Sequence, residues 1–486
     1  MWKSTLTRAA AVSLIATGLL FGISEPAYAH AFGQRYDLPL PLNLYLAGAA
    51  IAVVLSFVVI SIAAQAVAQP TLPRLESKAL GRIFASPVVR VPLRLATVGL
   101  LGLTLASGFI GTQRPLQNFA PTFVWVVFWV GLAFISALVG NLWAALNPWS
   151  ALFEWAEALY QTVTGRQSLS WIPYPESLGV WPAALLMLGF SWLELVWREA
   201  QIPWNTSGAV LLYSVVTWLG MLVYGRAAWL AHGEVFTLVF GLFSNLAPCR
   251  LDTKDGETVL VVQPYASEFT RLKAPDASQL VFVLMLLAIL SFDGFKDTPL
   301  WQSIVEVALP PLLPLLGNQA YAALNTLALV TVPALFVGIY FSFAALMHRV
   351  AGKQLLTCGQ TARTFVFTLV PIVIAYHLSH YLSYLLVIGQ QIIPLISDPF
   401  GFGWNLFGTA DYRISVGVIG ARFVWRFAVI AIVVGHVISV ALSHLTAVKT
   451  YPSLAVAQRS QYPMLALMVG YTLLSLWLFA QPIMEG

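Results

Sequence analysis

The chain has 486 residues, 59% of them hydrophobic and only 9% charged. A water-soluble globular chain carries roughly 25% charged residues, so this composition excludes one and points to a polytopic membrane protein. The net charge of +5, from 25 basic and 20 acidic residues, is too thin and too dispersed for a nucleic-acid surface. The two cysteines, Cys249 and Cys358, form neither a disulfide scaffold nor a thiolate zinc cluster.

In chain order, Lys3 and Arg8 precede an apolar run from Ala9 to Gly22, broken at Ser24 to Pro26 and followed by Ala27-Tyr28-Ala29. A basic region, a short apolar region and an A-x-A box predict a cleavable signal peptide over 1–29 and a mature domain over 30–486. His30 would then be the first mature residue. Its amino group and ring suit Cu(II), a possible second metal site, although a signal peptidase also tolerates most residues there.

Windows of about 20 apolar residues, the length that spans ~30 Å of hydrocarbon, recur about ten times. They fall near 43–68, 92–111, 121–146, 179–197, 207–231, 279–296, 320–347, 364–391, 417–446 and 462–481. The expected fold class is therefore an all-α, polytopic transmembrane helix bundle. Val235 to Leu246 is too short to span and is expected at the membrane interface. Ile304 to Leu316 is expected to break as a helix at Pro310, Pro311 and Pro314. Between spans, 250–278 reads as a cytoplasmic insert, with Thr258 to Gln263 as a short strand or hairpin. Lysine and arginine concentrate in alternate loops, which predicts the inner membrane, multi-pass, with both mature termini outside.

An ionisable side chain inside a span costs a few kcal/mol, so each is a candidate for function. His377 and His380 stand at i and i+3 of one helix, His436 on the next, and Asp293 and Glu194 on two others. Counted at 1.5 Å per residue from the cytoplasmic ends, His377, His436, Asp293 and Glu194 lie about 16–22 Å deep, with His380 a turn beyond His377. Histidine with carboxylate is the ligand chemistry of catalytic zinc, where a metal-activated water is deprotonated by a nearby acid group. One expectation is thus a metal site, zinc or alternatively copper, on His377, His380 and His436, with Asp293 and Glu194 as fourth ligand or general base. The same groups suit a transporter that relays protons or handles a transition metal, and polar residues that only specify helix packing are the third reading. His232, Glu234, His348 and His444 read as solvated interface residues. Asn141 and Asn147 read as inter-helix bonds or a kink at Pro148. Arg422 and Arg426 read as an anion site or as arginines snorkelling to headgroups.

Four stretches carry a resemblance. The run His30-Ala-Phe-Gly-Gln-Arg-Tyr-Asp-Leu-Pro-Leu-Pro41, the pair Asn147-Pro-Trp149 with Ser291-Phe-Asp-Gly294, and Tyr376-His377-Leu-Ser-His380-Tyr381 resemble the bacterial membrane proteins recorded as fenitrothion hydrolase. The resemblance runs the length of the chain. It implies a phosphoric triester hydrolase that releases a nitrophenol and a dialkyl thiophosphate from a small apolar ester reaching the site through the lipid bilayer. It supplies no catalytic residues, so the candidate site rests on depth and chemistry.

Overall fold

A computed structural model describes residues 41–63, 73–165, 169–352 and 355–484. The signal peptide predicted over 1–29 and His30 lie outside these residues. Among the described residues, ten helical segments are long and apolar enough to cross a membrane, as the hydropathy predicts.

The helices of the first half are α1 (Leu42–Ala63), α2 (Lys78–Ala85), α3 (Pro87–Ile110), the span Phe119–Leu138, α4 (Pro148–Thr164), α5 (Trp181–Leu195) and α6 (Pro203–Tyr224). Residues 122–131 of the span are wound as a π-helix, a form frequent at functional sites. Next come α7 (Arg226–His232) and α8 (Val235–Ser244), which meet at a 62° bend. The second half comprises α9 (Ala277–Phe295), α10 (Pro299–Leu316), α11 (Ala320–Ala351), α12 (Cys358–Val366), α13 (Val370–Val387), α14 (Ala421–Thr450) and α15 (Leu454–Met484).

α9 and α13 lie at the centre. Both are apolar around their whole circumference, and nearly every residue of each is buried, as expected of a helix surrounded by others. Asp276 starts α9 with a capping box: its carboxylate accepts from the Gln279 amide, and the Gln279 side chain reaches back to the Asp276 amide. Gly435 lets α13 and α14 close up, because a Cβ there would stand 2.5 Å from the Ala375 Cβ and 2.8 Å from the Pro371 carbonyl oxygen.

Two expectations are corrected. Residues 235–244 do not lie on the surface: Val235, Val239 and Phe240 are fully buried, so α8 is a core helix entered by a sharp turn. Residues 304–316 do not break. α10 runs unbroken through Pro310, Pro311 and Pro314, losing one amide donor at each, and ends at Leu316, two residues past the last of them.

The insert folds as expected, as a hairpin. β2 (Cys249–Lys254) and β3 (Glu257–Val262) join through Asp255 and Gly256, both at positive φ, 53° and 78°, the geometry that Asp-Gly favours in a two-residue hairpin. β1 (Leu75–Ser77) adds to the other edge of β3, giving the antiparallel order β1-β3-β2. Ion pairs lace this cap: Arg74 and Arg250 to Asp252, Lys254 to Glu76, and Arg82 and Lys78 to Glu257. Lys449, at the end of α14, donates to the Thr270 carbonyl and ties the cap to the bundle.

Candidate functional site

The polar centre sits where α9 and α5 approach their C-terminal ends. Asp293 is 3% exposed and lies half a turn before the end of α9. Its Oδ2 is 2.8 Å from His380 Nε2 and accepts from the Tyr381 hydroxyl at 3.0 Å. Its Oδ1 lies 3.3 Å from Lys296 Nζ, one turn along the same helix. The Tyr381 hydroxyl also lies 3.1 Å from Glu194 Oε1 on α5.

These distances have a consequence in protons. A phenol carries one hydrogen, and ionised carboxylates only accept. The one Tyr381 hydrogen is therefore shared between Asp293 and Glu194, both of which its hydroxyl reaches. The result is a hydrogen-bonded chain, Glu194 to Tyr381 to Asp293 to His380, inside a packed bundle. Lys296 stands beside it with its side chain 14% exposed, which places it at the rim.

The expected ligand set is not assembled. Among the described residues no group of three or more His, Cys, Asp and Glu side chains could hold a metal ion. His377 and His380 are 60° apart around α13, enough at the centre of a bundle to face different neighbours. The His377 ring packs between Trp129 at 5.4 Å and Phe243 at 5.5 Å, and its Nε2 has no hydrogen-bond partner. His436 spends Nδ1 on the Ile432 carbonyl at 2.8 Å, with Nε2 unpartnered and its ring 6.0 Å from Tyr471. His380 Nε2 is bonded to Asp293. The three imidazoles therefore do not fit one zinc or copper ion, and no chemical step is derived through one.

His436 nonetheless connects to the centre. The Tyr471 hydroxyl shares a 2.6 Å hydrogen bond with Ser291 Oγ, two residues before Asp293 on α9. Glycine at 294 makes room for the Tyr376 hydroxyl, which would collide with any side chain there.

Glu234 overturns the interface reading. It is fully buried and accepts from Trp143 Nε1 at 3.3 Å, Asn147 Nδ2 at 3.2 Å, the Thr237 amide at 2.8 Å, and the Tyr213 and Thr237 hydroxyls. The carboxylate caps the first turn of α8 at the bend and bonds α4 and α6 to it. Asn147 thus makes the inter-helix bond expected of it. His444 is also buried, beside Gln461 on α15, while His232 is half-buried and stacks on Tyr174 at 4.8 Å. Arg422 and Arg426 are exposed.

Depth alone found Asp293, Glu194 and His380 but missed Tyr381 and Lys296, which join them. Lys296 carried a readable signal, since a lysine three residues after an intramembrane aspartate shares its helix face.

Fold and site together define the class: a multi-pass membrane helix bundle with an ionisable cluster buried between its central helices. Comparison of the chain with protein-family models, with curated proteins and with solved structures returns no match.

Proposed function

We propose that the protein is a proton-relaying transporter of the bacterial cytoplasmic membrane, in which Asp293 and His380 exchange the proton and Tyr381 and Glu194 pass it toward the surface near Lys296. The observation that carries this reading is the contact between Asp293 and His380, 2.8 Å long and buried at a helix crossing, continued by a phenol that bridges two carboxyl groups. Intramembrane chains of acid and imidazole groups are the chemistry of proton relays. The lysine and arginine bias puts the three-stranded cap inside the cell and both mature termini outside, so the cluster opens outward.

The hydrolytic reading requires a metal shared by three imidazoles, which the geometry does not offer. One preparation distinguishes the two. Purified protein in liposomes loaded with a pH-sensitive dye is expected to acidify the lumen under an inward proton gradient. The same protein, incubated with a nitrophenyl phosphorothioate triester, is expected to release no nitrophenol. Turnover of the triester without proton movement would overturn the proposal.

A further inference from the structure

A cavity of about 950 Å³, lined by none of the residues of the polar centre, lies between α3, the span Phe119–Leu138, α5 and α6. Ligand pockets in proteins occupy roughly 300–1,000 Å³, so this is room for a whole small molecule. No Asp, Glu, Lys, Arg or His lines it. Several of its polar groups are committed elsewhere: the Tyr213 hydroxyl donates to Glu234, and the Thr206 hydroxyl donates to the Ala200 carbonyl at 2.7 Å. A charged guest would find no partner and would lose its hydration, which costs far more than the cavity returns.

Eleven aromatic residues stand in its wall. Phe128 meets Phe236 edge-on at 4.7 Å, Trp149 meets Tyr213 at 4.9 Å, and Trp125 lies 5.4 Å from Phe190. Such walls offer ring faces and edges to an aromatic guest, each ring pair adding about 0.5–1.5 kcal/mol beyond area burial. Leu185 and Leu212, 69% and 66% exposed, stand in the lining on two membrane-spanning helices. The opening therefore faces hydrocarbon. Backbone geometry leaves space as well: a Cβ built at Gly189 or at Gly208, both in the lining, meets nothing within 4 Å.

We infer that this cavity is a binding site for a neutral, ring-containing small molecule that enters sideways from the bilayer. The inference does not depend on the proton relay. Its test uses full-length protein in nanodiscs and N-phenyl-1-naphthylamine, a neutral aromatic dye, with energy transfer from the wall tryptophans as the signal. Saturable binding is expected. Gly189→Leu and Gly208→Leu are each expected to weaken it at least tenfold, whereas Gly99→Leu, which also has open space but lies outside the lining, is expected to leave it unchanged. Thermal unfolding confirms that each variant is folded, and either filling variant suffices. Equal binding by all four proteins would mean the dye merely partitions into lipid and would overturn the inference. So would a co-purified phospholipid, one per protein in the wild type and lost on filling, that the dye cannot displace, since the occupant would then be an acyl chain.

Discussion

At the scale of single residues, Asp293 is the group on which most depends. Its carboxylate sits between Lys296 and His380, so Asp293→Asn leaves a buried cation facing a neutral amide. Breaking a buried pair from one side costs about 3–5 kcal/mol. A loss of that size is expected in thermal unfolding, with partial recovery in Asp293→Asn/Lys296→Met, where no charge is stranded. Equal stability of the single and double variants would show that Lys296 is solvated and contributes nothing to the centre. Tyr381→Phe removes the hydrogen that both carboxyl groups share and is expected to cost about 1–3 kcal/mol. Residue identity made Asp293, Glu194 and His380 legible in the sequence because charge inside an apolar run stands out. Grouping was another matter. Depth along a helix says nothing about direction around it, so His377 and His436 share the level of Asp293 while facing an aromatic wall and a backbone carbonyl. Glu234 was misread for the converse reason: its position at a span end suggested water, and the folded chain supplies six protein donors in its place.

At the scale of elements, the crossing of α13 and α14 depends on glycine. Gly435→Ala forces a methyl into the Ala375 side chain and the Pro371 carbonyl, and is expected to cost about 1–3 kcal/mol and to separate the two histidine-bearing helices. Undiminished thermal stability would mean the helices adjust freely. The three-stranded cap makes a different prediction. The hydrogen bond from Lys254 holds Glu76 below the usual glutamate range, and those from Arg82 and Lys78 do the same for Glu257. Carboxylates depressed in the fold add stability that is complete above their ordinary value and fades as pH falls through the depressed one. Amide protection in β2 and β3, corrected for intrinsic exchange, should therefore decline on acidification and with added salt, because these pairs are exposed and screened. Protection indifferent to both would assign the cap to backbone pairing alone. The hairpin was read from Thr258 to Gln263, and Asp255-Gly256 carries its turn signal. α10 was not, since three prolines outweigh hydropathy in a sequence but remove only three donors from an eighteen-residue helix.

At the scale of the whole molecule, hydropathy is the strongest signal a chain can carry, because hydrocarbon forces backbone groups to pair within each span. All ten expected spans find a helical counterpart, with ends shifted by several residues where loops continue the helix or cut it short. The orientation proposed from basic residues is open to a direct check. Cys249 begins β2 and Cys358 begins α12, both thiols are free and half-buried, and both elements stand on the side of the cap. A membrane-impermeant maleimide is expected to label them in inside-out vesicles and to spare them in intact spheroplasts, and the reverse pattern would invert the topology.

The relay itself is tested most directly by proton flux into potassium-loaded, valinomycin-treated liposomes holding equal amounts of folded wild-type protein or the double variant Asp293→Asn/Lys296→Met. The account predicts voltage-driven lumenal acidification by the wild type and a fall to the protein-free leak in the variant. Equal flux through both would contradict it.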